Sequence, residues 1–287
     1  MKKIILLIML LSVISINVNA QVGIYPQLIF IDGASRSSYV KMYNQSDETK
    51  EAFLNYKFEV TRVDTNFSEE KRKADSILEQ KYSLDKYLKI FPKRLSLKTQ
   101  ADMMIRFLVM HPPDLPDGTY ITKLHVKSKS LDKQIDTVKK TFSKDIHAAM
   151  SLGSEIVTLV VYQKGELTTD AEVLGMTTSE DSFHLNLDFD FKHSGNSPFW
   201  GNIVCNLKDE AGNVVDKSIN PFSVYCDSKQ SVQVKKKFLS RGKKYKAEII
   251  INTDREDLPV DKIIKKEPVT KNFDFIFPDS QNKLVGR

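Results

Sequence analysis

Leu185-Asn186-Leu187-Asp188-Phe189-Asp190-Phe191 places an apolar side chain at every odd position and a polar one at every even position. Successive side chains leave a β-strand on opposite sides, so this alternation predicts a strand with one face in a core and its polar face outward. Runs rich in β-branched and aromatic residues recur before it. Ile24–Ile31 ends at the turn Asp32-Gly33, and Ser38–Tyr43 ends at Asn44. Phe53–Val60, Met103–Met110 and Tyr120–Val126 follow, the last after Pro116-Asp117-Gly118, and Ile156–Tyr162 is a further apolar run. Short strands punctuated by turn residues predict an all-β chain of two β-sandwiches.

Two stretches break this pattern. Ser68–Gln80 carries a Ser68 cap and a small apolar face at Ala74, Ile77 and Leu78, which predicts a helix. Leu131, Ile135, Val138, Phe142 and Ile146 recur at three- and four-residue steps in a charged segment, a helix offered to a partner or a connecting loop. The composition shifts again at Gln163-Lys164-Gly165, and a domain boundary is placed there.

The N-terminus reads as an address. Lys2 and Lys3 precede the apolar run Ile4–Ile14, and Val18-Asn19-Ala20 supplies small residues at the positions signal peptidase reads. The run is shorter than the ~20 residues that span a bilayer. The expected organisation is therefore a signal peptide at residues 1–20, a first domain at 21–163 and a second at 164–287. The mature chain is expected to be exported, with no membrane span after signal cleavage.

Composition excludes several classes. With 41% hydrophobic and 28% charged residues, the chain can build a packed core. Eleven Gly and ten Pro in 287 residues are too few for a fibrous or low-complexity chain. The net charge of +6 includes Lys2 and Lys3, and the remaining excess is spread too evenly for a nucleic-acid-binding face. Lys235-Lys236-Lys237 and Lys243-Lys244 read as solvated strand ends and turns.

Cys205 and Cys226 are the only cysteines. In an exported protein an even count predicts a disulfide between them, and two separate buried thiols are the other reading. No catalytic constellation is present: His111, His125, His147, His184 and His193 are scattered, without HExxH or GxSxG. Asp188 and Asp190 lie on the outer face of a strand with no further oxygen ligands clustered in sequence, so no metal site is expected. Trp200 reads as a domain core anchor. The chain is expected to be a non-enzyme without cofactor.

Against this background a resemblance emerges. Tyr25-Pro26 through Phe30-Ile31-Asp32-Gly33, then a strand ending at Asn44-Gln45-Ser46, resembles the opening of PapD-like periplasmic pilus chaperones. Leu88–Leu97 is similar to that family's proline-marked strand, and Met104-Ile105-Arg106-Phe107 to its arginine-bearing strand. Asp114-Leu115-Pro116-Asp117-Gly118-Thr119-Tyr120 resembles its Leu-Pro-Asp-Gly turn. Ser194-Gly195-Asn196-Ser197-Pro198-Phe199-Trp200-Gly201 resembles the start of a second-domain strand.

The resemblance implies an all-β chain of two immunoglobulin-like β-sandwich domains. It further implies an exported chaperone of surface-fibre assembly in the periplasm that lends the last strand of its first domain to an incomplete subunit sandwich. The partner would be a pilus-like or surface-protein subunit, and an outer-membrane usher is a further partner of such systems. The matching strand runs from about Ala148 to Tyr162. Met150, Leu152 and Ile156 are expected to fill the subunit's groove, with Val157, Leu159 and Val161 on the opposite, core-facing side. The family's arginine and lysine for the subunit's terminal carboxylate align with Leu28 and Leu159, so a carboxylate would need another cation such as Lys41 or Arg106. That departure favours the alternative of a structural or adhesive two-sandwich protein of the cell envelope.

Overall fold

The computed structural model describes residues 22–59, 61–63, 69–71, 76–131 and 153–278. The signal peptide expected at residues 1–20 lies outside them. In chain order the first half contains β1 (Val22–Tyr25), β2 (Ile29–Ile31), β3 (Ser37–Asn44), β4 (Lys50–Lys57), β5 (Thr61–Val63) and β6 (Glu69–Lys71). The helix α1 (Ser76–Tyr82) precedes β7 (Leu88–Phe91), β8 (Arg94–Leu97), β9 (Asp102–Val109), β10 (Gly118–Ser130) and β11 (Ser154–Lys164). The second half adds β12 (Thr169–Glu180), β13 (His184–Gly195), β14 (Phe199–Lys208) and β15 (Val214–Val224). It ends with β16 (Ser228–Lys235), β17 (Lys244–Asn252) and β18 (Val269–Ile276).

The first half is a sandwich of a four-stranded sheet, β1-β3-β9-β7, and a five-stranded sheet, β2-β11-β10-β4-β8. Val40, Met42, Ile105 and Phe107 from one sheet meet Ile29, Leu54, Leu124 and Val160 from the other in a single core. Pro26 separates β1 from β2, and Pro92 separates β7 from β8. Each pair straddles the two sheets, and proline, lacking an N–H, falls where strand pairing stops. The single run expected over Ile24–Ile31 is therefore two strands in different sheets. Asn44 ties the end of β3 to the strand opposite: its Nδ2 donates to Leu97 O at 3.1 Å and Lys98 O at 3.0 Å.

The second half pairs a three-stranded sheet, β12-β13-β16, with a four-stranded sheet, β15-β14-β17-β18. Leu185, Leu187, Phe189 and Phe191 of β13 face its core. The polar side of β13 is less exposed than its pattern implies, for Asp188 is only 2% exposed. Its carboxylate accepts hydrogen bonds from Ser179 at 2.9 Å and from Ser231, and Lys229 lies 3.5 Å from Asp190.

Several expectations are corrected. The charged stretch before Ser76 is not uniformly helical: Glu69–Lys71 pairs with Thr61–Val63 as a hairpin, and only Ser76–Tyr82 is helix. The segment carrying Ile135, Val138, Phe142 and Ile146 lies outside the described residues.

Cys205 and Cys226 are not bridged. Cys205 stands opposite Ser218, whereas Cys226 lies beyond Val224, which stands opposite Phe199. At ~3.3 Å per strand residue the two are more than about 20 Å apart along the strands. A disulfide needs Cα atoms within about 7 Å. Cys205 is 1% exposed in the second core, and burial pushes its thiol up to about 12.

Trp200 anchors the junction between the sandwiches rather than either core. A third cluster joins Phe58, Tyr82, Ile121 and Val161 of the first half to Trp200, Leu258 and Ile263 of the second. The Trp200 ring meets Phe30 edge-on, with centroids 5.9 Å apart. Among the described residues no helix is long and apolar enough to cross a membrane.

Candidate functional site: the open edge of β11

β11 is the last strand of the first sandwich, and both its neighbours and its residue types define a site. Along one side it pairs with β10 over its whole length, from Ser154 opposite Ser128 to Lys164 opposite Gly118. On the other side β2 covers only Val160–Tyr162. Among the described residues no strand pairs with Ser154–Leu159 on that side. An unpaired stretch of N–H and C=O groups is a template for another strand.

The two faces of β11 have different surroundings. Ile156, Val160 and Tyr162 turn toward the first core, and Ser154 Oγ meets Ser128 Oγ at 2.7 Å on the same face. The odd positions turn outward. Val161 is buried in the junction cluster, Leu159 is partly buried against it, and Val157 is 49% exposed. These three form an apolar line that begins under the second sandwich and emerges along the open edge. At the described residues the faces are thus the reverse of the sequence expectation. Ile156 packs inward, Val157 does not belong to the core, and Met150 and Leu152 lie outside the described residues.

Charge gathers where the line ends. His125 stands opposite Val157 on β10. Its Nδ1 lies 2.9 Å from Glu155 Oε1 and its Nε2 lies 3.8 Å from Glu59 Oε2. The open edge therefore runs from a polar cluster at Glu155 to an apolar junction at Val161.

Leu28 and Leu159, the two positions where the resemblance implies a basic pair, both pack as aliphatic groups against the junction cluster that contains Trp200. Lys41 and Arg106 do not replace them. Both sit on the outer face of the other sheet of the first sandwich, where Lys41 pairs with Asp102 and the Arg106 guanidinium lies 5.9 Å from the Tyr39 ring centroid.

The junction is also held by polar contacts from the two turn motifs. Thr119 N–H donates to Asn196 O at 3.0 Å, and Thr119 Oγ1 lies 2.7 Å from Ser197 Oγ. Asn196 Nδ2 donates to Asp117 O at 3.1 Å and to Glu166 O at 2.9 Å, and its Oδ1 accepts from Thr168 N–H at 2.8 Å. The connecting chain wraps Asp117, whose carboxylate accepts from Lys164 Nζ at 2.8 Å and Glu166 N–H at 3.0 Å. The Lys164 hydrogen bond comes first among the causes that hold the Asp117 carboxyl below its usual range. Gly165, between those donors, has φ +65°, and a Cβ there would overlap the Asp117 carboxylate. Sequence reading singled out both motifs but had no means of placing one against the other.

No protein-family model matches the chain, and no curated protein matches it. Solved structures do. The YadV chaperone matches over 89% of this chain and 100% of its own, with 9% identity and a TM-score of 0.46. The class 5 fimbriae chaperone CfaA matches over 88% and 98%, with 14% identity and a TM-score of 0.44. A chain of the CsuC–CsuE chaperone–tip adhesion subunit complex, from the archaic chaperone-usher Csu pili of Acinetobacter baumannii, matches over 88% and 98%, with 12% identity and a TM-score of 0.41.

Proposed function

We propose that this protein is a non-enzymatic, exported chaperone that binds a surface-fibre subunit by β-strand addition along β11. The observation that carries this reading is the edge at Ser154–Leu159, along which no strand pairs among the described residues and only the Gln27 carbonyl meets the Thr158 hydroxyl, coupled to the emerging side chains of Leu159 and Val157. Backbone hydrogen bonds at the edge would supply affinity, and alternate apolar side chains would fill an acceptor groove.

The client is a β-sandwich subunit lacking a strand, since such a chain exposes both an unpaired edge and an apolar groove. The aliphatic Leu28 and Leu159 argue that the client is held at the junction by packing and edge pairing rather than by a buried ion pair, because a carboxylate there would lack a cationic partner. An outer-membrane usher and a periplasmic location belong to the same reading.

Co-purification tests it. Tagged protein beginning at Gln21, passed through periplasmic extract, is expected to retain a β-rich subunit in stoichiometric amount. Val157→Asp is expected to lose it with little change in melting temperature, because Val157 is 49% exposed. Retention of the same subunit by Val157→Asp would move the structural or adhesive reading to first place.

A further inference from the structure

The end of the second sandwich remote from the junction gathers charges that are distributed in sequence. Phe183 sits in the turn between β12 and β13, and its carbonyl accepts the Lys236 N–H at 3.1 Å. Lys235 stands opposite His184 at the end of β16. A 3₁₀ turn, Lys236–Phe238, then leads through Arg241 and Lys243 into β17, whose first residue Lys244 stands opposite Ile276. Gly242 N–H donates to Phe277 O at 2.8 Å, and Phe277 N–H to Lys243 O at 3.0 Å, so the two connections and the end of β18 form one surface. The junction residues Gly195–Trp200 lie at the opposite end of β13.

Two of these cations are internal fastenings. Lys236 Nζ lies 2.6 Å from Glu180 Oε2, and Arg241 lies 3.1 Å from the same oxygen while stacking 4.6 Å from the Phe277 ring centroid. Lys235, Lys237, Lys243 and Lys244 remain exposed around apolar groups that face solvent: Phe183 is 76% exposed, Phe238 45% and Ile276 55%. Lys237 Nζ lies 4.8 Å from the Phe238 ring centroid. The nearby acids are mostly engaged. Asp181 accepts the Phe183 and His184 N–H groups, and Asp209 accepts from the backbone and side chain of its own turn. Glu210 accepts the Lys244 N–H at 3.3 Å.

We propose that this tip docks on an anionic lipid surface. Aromatic rings on turns suit the boundary between headgroups and acyl chains, and surrounding lysines suit lipid phosphates. The charge complementarity is local: Lys237 lies against Phe238, Lys235 stands opposite His184 next to Phe183, and Lys243 follows in the same connection as Phe238. Asp181 is held by the backbone of its own turn, and Asp209, Glu210 and Asp274 gather around Lys244. The surface is at the far end of the second sandwich from β11, so occupancy of the tip leaves the strand edge open.

Co-sedimentation with vesicles tests this. The chain beginning at Gln21, which lacks the apolar N-terminal run, is mixed with vesicles of phosphatidylcholine alone or with added phosphatidylglycerol. Binding is expected only to the anionic vesicles, and to weaken as salt rises. Lys235→Glu/Lys237→Glu/Lys243→Glu and, separately, Phe183→Ser/Phe238→Ser are each expected to lower the affinity by at least about tenfold. Absence of binding by the unmodified chain overturns the proposal. Undiminished binding by the phenylalanine variant, with equal binding to soluble heparin, also overturns it and marks the tip as a polyanion site instead.

Discussion

The hydroxyls of Thr119 and Ser197 lie 2.7 Å apart, joining the start of β10 in the first sandwich to the turn between β13 and β14 in the second. Both groups are buried, Thr119 at 1% and Ser197 at 0% exposure, so each depends on the other for its hydrogen bond. With Asn196 and Asp117 they fix the angle at which the second sandwich covers Val161 and leaves Val157 in the open.

Asn196→Ala should therefore loosen the junction more than either core. The substitution removes two donated and two accepted hydrogen bonds, an expected loss of about 1–3 kcal/mol. Thermal unfolding followed by calorimetry is expected to change from one transition to two, the sandwiches melting separately. The single Trp200 should report the earlier one, because it sits in the cluster between them.

Acidification should weaken the same region in two steps. Burial is the largest cause that lowers His193 below its ordinary value of 6.5, and its Nε2 lies 2.9 Å from Ser197 O, so the neutral ring donates there. Below that value the unfolded chain takes up a proton that the folded ring refuses. Stability is thus full above the ordinary histidine range and falls as pH drops through it. Asp117 is depressed from 3.8 by its Lys164 hydrogen bond, so its contribution is present above that value and lost as pH falls further. Melting temperature against pH should show both steps. His193→Gln should flatten the upper one and Asp117→Asn the lower.

Basic residues placed at the two aliphatic positions should not restore an anchor. Leu28→Arg with Leu159→Lys puts charge into the Trp200 cluster, and in the absence of a client it should destabilise by about 1–3 kcal/mol. Chemical denaturation followed by Trp200 fluorescence measures this. An unchanged midpoint would show that the junction already accommodates charge.

The thiols should behave independently. Cys205, with its thiol raised by burial, is expected to react with an alkylating reagent only on unfolding, and Cys226, half-exposed beyond β15, before it. Mass spectrometry of the alkylated protein distinguishes the two. Reduction should leave the electrophoretic mobility of the unfolded chain unchanged.

What could be read from the sequence follows from how many faces of a strand water touches. β13 declared itself because its polar side meets Ser179 and Ser231 while its apolar side meets a core. β11 did not. Ile156-Val157-Thr158-Leu159-Val160-Val161-Tyr162 is apolar on both faces, because one side meets the first core and the other meets the second domain. Alternation carries no parity signal in such a run, and a one-residue error in parity exchanges the faces. Trp200 was misplaced for the same reason, since a junction residue is as buried as a core one. The hairpin at Glu69–Lys71 had no signal at all, its residues being acidic and basic in a segment that reads as helix.

The most direct test of strand addition is amide hydrogen exchange of residues 154–159, measured for the protein alone and in complex with its captured subunit. Alone, the amides that face the open edge should exchange quickly while those bonded to β10 are protected. In the complex, the open-edge amides should become protected, with Val157 and Leu159 at the contact. A stable complex in which those amides exchange as fast as before would contradict the account, and would place the subunit on another surface.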